Sequence, residues 1–233
     1  LAGAWLCARR VPDWSSPEAI TVADGLKQHR STRVQYNYAN WHLSMKNYDE
    51  ALKLYLHTIS IDPTDRDSMP LHHAGQILLY QGRYDEAQRY LAKAVAGYFS
   101  PLVMAEEEVW HDYALSLWFA NDVHGAIENF KNALIINPEF TKALNNMGCA
   151  EGLGALTGKF GVDALHRSVE ALNMALQLDP SSVLYWRNFA GMLRMGGNAQ
   201  GAAEAWQRLR AMNPQAAEEA APPEDCAWEF GFR

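Results

Sequence analysis

One six-residue phrase recurs along the chain at wide spacing, and it constrains the fold more than any other feature. Lys46-Asn47-Tyr48-Asp49-Glu50-Ala51 is followed by Gly82-Arg83-Tyr84-Asp85-Glu86-Ala87. Looser copies are Asn121-Asp122-Val123-His124-Gly125-Ala126 and Gly197-Asn198-Ala199-Gln200-Gly201-Ala202. Apolar stretches of helical period close on the turns Ile61-Asp62-Pro63, Ile136-Asn137-Pro138, Leu178-Asp179-Pro180 and Met212-Asn213-Pro214. Self-similarity at such a period marks stacked units, each too small to bury its own apolar faces without a neighbour.

The pattern resembles the tetratricopeptide repeat, a helix–turn–helix unit of about 34 residues. That repeat has an aromatic at position 4, large apolar residues at 7 and 24, small ones at 8, 20 and 27, and proline at 32. One unit carries Trp110, Tyr113, Ala114, Ala126, Phe130, Ala133 and Pro138 in that register, and another carries Trp186, Phe189, Ala190, Ala202, Trp206, Leu209 and Pro214. The first reads Tyr38, Ala39, Ala51, Tyr55, Thr58 and Pro63. The second reads Ala74, Gly75, Ala87, Leu91 and Ala94, with Phe99 in the proline position and Pro101 beyond it. The fourth opens with Leu144, Met147 and Gly148 and closes with Leu172, Ala175 and Pro180. Small residues let the paired helices cross closely, large ones fill the remaining space to interior density, and proline ends the second helix.

The resemblance implies an all-α, right-handed superhelical solenoid of five units at about 32–65, 68–101, 107–140, 141–182 and 183–216. Residues 1–30 form an N-terminal segment. In it, Ser15-Ser16-Pro17-Glu18 reads as a helix start with proline in the first turn, so that a helix from Pro17 to His29 caps the first unit. Ala87 to Ala126 spans 39 residues, which lengthens the loop around Ser100 to Glu107. Gly148 to Pro180 spans 32 where the pattern needs about 24. That surplus, around Gly152 to Gly161, lengthens the helix pair or makes a protruding elbow. Residues 215–233 form an acidic tail in which Glu218, Glu219, Glu224, Asp225 and Glu229 face Arg233 alone.

Charge and cysteine content narrow the partner classes. The net charge of −7, with no Lys/Arg block, offers nothing a nucleic-acid backbone would need. Cys7, Cys149 and Cys226 follow no metal or disulfide spacing. No Asn-x-Ser/Thr site occurs, which removes one sign of secretion without excluding a lumenal protein. Apolar Leu1 to Ala8 is too short to span a bilayer, for which about 20 residues are needed. It is either the end of a spanning helix cut off upstream or an apolar edge.

Candidate chemistry is sparse. Gly158-Lys159 lacks the earlier glycine and following Ser/Thr of a phosphate loop, with Leu153 and Phe160 in those places. His72-His73 and His111-Asp112 are metal-ligand types on the first helices of neighbouring units, but adjacent residues on a helix diverge by about 100°. No catalytic residue, metal site or cofactor is expected.

The repeat fold turns positions 2, 5, 6, 9, 12 and 13 of each first helix toward a concave groove. Position 6 reads Asn37, His73, Asp112, Asn146 and Asn188; position 5 reads Tyr36, His72, His111, Asn145 and Arg187. Position 9 adds Asn40 and Gln76, position 2 adds Arg33 and Lys142, and positions 12 and 13 add Tyr80, Trp118 and Arg194. Amide side chains both donate and accept, so they suit the backbone of an extended peptide. The asparagines at position 6 resemble the asparagine ladder in the repeats of O-GlcNAc transferase, here interrupted by His73 and Asp112. The paired lysines and asparagines of the chaperone-tail carboxylate clamp are missing.

A second resemblance rests on Arg10-Val-Pro-Asp-Trp14, Asp24-Gly-Leu26 and Val34-Gln-Tyr-Asn-Tyr-Ala-Asn40. It is similar to the stretch after the last membrane helix in the transmembrane and tetratricopeptide-repeat family of endoplasmic-reticulum O-mannosyltransferases. Two functions follow as alternatives. One is a free-standing, cytoplasmic scaffold that holds a protein or extended peptide in its groove. The other is the lumenal substrate-presenting module of a membrane transferase whose catalytic part lies outside this chain, with the N-terminus continuing from a membrane helix. In neither do the repeats touch the membrane.

Overall fold

The computed structural model describes residues 16–62, 67–97 and 105–214. The expectations placed on residues 1–15, Pro63, Phe99, Pro101 and the tail 215–233 lie outside that set. The eleven regular elements among the described residues are all α-helices, in two compact units divided between Ser100 and Pro101. The first holds α1 (Pro17–Lys27) and the pairs α2 (Thr32–Ser44) with α3 (Tyr48–Ile61), and α4 (Ser68–Tyr80) with α5 (Tyr84–Val95). The second holds three pairs: α6 (Glu106–Phe119) with α7 (Val123–Ile136), α8 (Thr141–Leu156) with α9 (Asp163–Leu178), and α10 (Val183–Met195) with α11 (Ala199–Met212). No helix among them is long and apolar enough to cross a membrane.

Local signals set the helix ends. Ser16 accepts from the Ala19 amide with proline next in line, and Ser31, Asp67, Asp122, Ser182 and Asn198 cap their helices in the same way. Each first helix of the four regular pairs leaves through a residue in the left-handed region: Lys46, Gly82, Asn121 and Gly197, all at position 15. The amide that follows reaches back five residues, Asn47 to His42 and Arg83 to Leu78 at 2.9 Å, so the last carbonyls are satisfied as in a Schellman turn.

The small residues do what the repeat demands. Ala39, Ala114, Ala190, Ala51, Ala87 and Ala126 retain at most 1% of their surface, and Gly75 and Gly148 are buried at the same crossings. A Cβ on Gly75 would lie 2.5 Å from Leu91 Cγ, and one on Gly148 would lie 2.9 Å from Leu172 Cγ. Tyr55, Leu91, Phe130 and Leu172 at position 24 fill the crossings completely. Position 4 of the first pair holds Gln35 instead of an aromatic. Its buried amide donates to the Gly25 carbonyl at 2.8 Å and so ties α1 onto α2, while the bare Gly25 backbone lies against the Tyr38 ring.

The surplus residues of the fourth pair lengthen both helices to 16 residues and add an elbow. The elbow does not stand free. Lys159 Nζ donates to Asn121 Oδ1 at 2.7 Å, and Phe160 packs edge-on to His124 at 4.8 Å while lying against Gly154.

The Gly75 crossing carries a stability prediction. Gly75→Ala overpacks it and costs about 1–3 kcal/mol, read as a lower urea midpoint by circular dichroism. Combined with Leu91→Val, the loss falls short of the sum of the single losses by more than about 0.5 kcal/mol, because the two side chains share one space.

Candidate peptide-binding faces

Positions 5 and 6 of the first helices behave differently in the two units. In the first unit, Asn37 and Arg33 are exposed, and Tyr36, Asn40 and His73 are half-buried. Tyr80 keeps 58% of its surface and leans on Tyr48, with ring centroids 5.0 Å apart. His72 and Gln76 are buried. Tyr36, Tyr55 and His73 form one aromatic cluster with centroids 5.3–5.9 Å apart. His73 Nδ1 lies 2.8 Å from the Met69 carbonyl and must carry the proton there, which leaves its Nε2 as the acceptor. The Tyr55 hydroxyl donates to Asn40 Oδ1 at 2.6 Å. Burial pushes the Tyr55 and Tyr36 phenols above the ordinary range, Tyr55 far above it.

In the second unit the same positions form a buried polar row. Asn188 Nδ2 donates to Asn145 Oδ1 at 2.9 Å, and Asn145 Nδ2 donates to Asn146 Oδ1 at 2.9 Å. Asn146 Nδ2 lies 2.9 Å from His111 Nε2, and His111 Nδ1 lies 3.0 Å from Asp112 Oδ1. The Asp112 carboxylate only accepts, so His111 Nδ1 carries the proton, Nε2 accepts, and each amide is oriented in turn. All bonds run one way, from α10 through α8 to α6, which lets each polarise the next. All five side chains retain no more than 1% of their surface. The sequence placed these residues toward a groove; in the structure they are buried and joined by the hydrogen bonds above.

Around this row, Trp118 and Lys142 are half-buried, with Lys142 Nζ 3.9 Å from Glu108. Arg194 is exposed. Arg187 is half-buried, and its Nε is shut off from solvent without an acceptor. The His111–Asp112 pair does not form a nucleophile-activating arrangement, because Asn146 occupies the nitrogen that would serve one. His72-His73 and His111-Asp112 fall in different units, and no group of three metal-ligand types occurs among the described residues. Sequence reasoning missed Tyr55 and Glu108 as members of these faces. Tyr55 lies at core position 24 and enters its face only through Asn40 on the paired helix, whereas Glu108 lies at groove position 2 of its unit and meets Lys142 across α6 and α8.

Residues 30–100 match the family described as the tetratricopeptide repeat. Among curated proteins no sequence matches. Solved structures that share the fold include YrrB, a repeat protein with an unusual peptide-binding site, at 15% identity and a TM-score of 0.65 over 85% of this chain and 96% of that one. PilW, a type IV pilus biogenesis factor, superposes with a TM-score of 0.71 at 16% identity, over 92% of this chain and 94% of its own. MamA from Desulfovibrio magneticus gives 0.64 at 18% identity, over 79% and 96%. None of these comparisons supports the transferase resemblance of residues 10–40.

Two predictions follow from the faces. Asn145→Leu cuts the row in the middle and strips one bond from each of two buried amides, at about 1–3 kcal/mol apiece. Asn37→Ala, at the exposed equivalent of Asn146, changes stability by less than about 0.5 kcal/mol; urea unfolding of the two variants separates the cases. The second prediction concerns alkali. A folded-state phenol pKa above its unfolded value means that stability is full below about pH 10 and falls as pH rises past it. Tyr55→Phe, read by the urea midpoint between pH 9 and 11, flattens that decline.

Proposed function

We propose that this chain, a tetratricopeptide-repeat protein by the match of residues 30–100 and by the fold of its described residues, is a scaffold that holds an extended polypeptide on the first-helix faces of its repeats. The observation that carries the reading is the polar row in the second unit. Five side chains spanning α6, α8 and α10 are kept polar and ordered where alanine or leucine would pack at lower risk. Buried polar side chains of this kind hold neighbouring helices in one register. In a repeat stack that register sets the spacing of the exposed groups beside it. Beside the row Arg194 is exposed and Arg187 half-buried, and in the first unit, taken by itself, Arg33, Asn37 and Tyr80 are exposed; these are donors and an aromatic suited to backbone carbonyls, carboxylates and apolar side chains.

The contact residues are then the exposed Arg33, Asn37, Tyr80 and Arg194 and not the buried Asn145, Asn146 and Asn188. A photo-crosslinking amino acid at Asn37, Tyr80 or Arg194 captures a discrete partner from source lysate, whereas the same probe at the exposed second-helix sites Lys53 and Glu170 does not. Equal capture from both sets sinks the proposal.

A further inference from the structure

We propose that a cavity at the seam of α8 and α10 takes a carboxylate, supplied by an aspartate or glutamate side chain within the polypeptide that the scaffold holds. This names the partner's chemistry and rests on the reading of that face as polypeptide-binding.

The cavity measures about 590 Å³, and its walls include Thr141, Asp179, Ser181, Ser182, Tyr185 and Arg187. All of them belong to the second unit. One hydrogen bond joins the two sides of the seam: the Tyr185 hydroxyl on α10 donates to Thr141 Oγ1 on α8 at 3.0 Å.

The side chains of this wall have hydrogens to give. Thr141 accepts from the Tyr185 hydroxyl, and Ser182 Oγ accepts from the Tyr185 amide at 3.3 Å. A hydroxyl that accepts keeps its own hydrogen for another partner. Arg187 is half-buried, and its Nε has no acceptor among the described residues. A guanidinium can only donate. The one carboxylate of the wall is already engaged: Asp179 Oδ1 takes the Ser181 amide at 3.1 Å and the Ser181 hydroxyl at 2.7 Å.

A ligand that satisfies this wall must accept hydrogen bonds and carry negative charge. A carboxylate does both, and it meets a guanidinium as a planar fork once the long side chain turns into the cavity. A phosphate ester would bring a charge of about −1.5 to −2 beside Asp179, with one arginine to balance it. The singly charged group is the better match. Arg194 selects an internal side chain over a chain terminus. It is exposed on α10 seven residues beyond Arg187, on the same side of the helix and about 10 Å further along. A polypeptide crossing Arg194 therefore runs on past the cavity. A polyproline II chain returns a side chain to the same side every three residues, about 9 Å, so glutamates three apart reach both arginines.

The test titrates the full chain calorimetrically at low salt with an acetylated, amidated peptide of three Pro-Pro-Glu triplets, and with its Pro-Pro-Gln counterpart. The glutamate peptide is expected to bind at least about tenfold more tightly, the share of one charged hydrogen-bonded pair. Arg187→Met removes that difference, and Arg33→Gln keeps it. In the free protein Arg187→Met leaves the urea midpoint unchanged or raises it, because Nε has no bond to lose, whereas a purely structural arginine would lower it. Equal affinity for the two peptides, binding of neither, a difference that survives Arg187→Met, or a lowered midpoint each overturn the proposal. So does tighter binding of inorganic phosphate, or of the glutamine peptide carrying a free C-terminal carboxylate. If the glutamate peptide fails while a photo-crosslinker at Arg194 still captures a partner, the carboxylate is wrong and the scaffold reading stands. If the crosslinker fails too, the face is not a polypeptide site.

Discussion

The close crossing of paired helices at alanine and glycine is the interaction on which the rest of this structure depends. Six alanines at positions 8 and 20 have no more than a trace of surface, and Gly75 and Gly148 leave no room for even a methyl group. Because the backbones approach so closely, position 24 must be filled by one large side chain. Tyr55, Leu91, Phe130 and Leu172 do this, and each is fully buried. Close packing of this kind transmits small displacements instead of absorbing them. The first helices therefore stand at fixed separations, and side chains on their faces can be matched across them to hydrogen-bond tolerance.

The polar row of the second unit is the consequence. Hydrogen bonds of 2.9 Å between α10, α8 and α6 require helix positions correct to a few tenths of an ångström. Once formed, the row reinforces the same register, since a slipped helix would strand buried amides. The first unit meets the requirement with other chemistry. There Tyr36, Tyr55 and His73 pack as rings, and a single hydroxyl-to-amide bond, Tyr55 to Asn40, joins the pair. One repeat pattern thus supports two kinds of face, aromatic and histidine-rich in one unit and amide-rich in the other.

The elbow of the fourth pair shows how an insertion is accommodated without disturbing the crossings. The extra residues extend α8 and α9 together, so the pairing of Gly148 with Leu172 survives. The surplus length ends in Gly158, which takes the left-handed conformation that position 15 takes elsewhere. Lys159 and Phe160 then bind it to the preceding pair through Asn121 and His124.

What the sequence determined by itself is the all-α repeat, because its signals are local or strictly periodic. The alanine at position 20, the cap at Ser16, the proline after it and the turn residues near position 15 each act within a few residues of their own place in the chain. Tertiary structure alone decided the chemistry of the faces. Asn146 finds His111 across 35 residues and Asn188 finds Asn145 across 43. Gln35 replaces an aromatic because the Gly25 carbonyl lies 2.8 Å from its amide. Whether a polar side chain at position 5 or 6 meets solvent or another side chain depends on what the neighbouring helix carries opposite it. Helical periodicity places such a residue on a face, and only the packed neighbour determines whether that face is open.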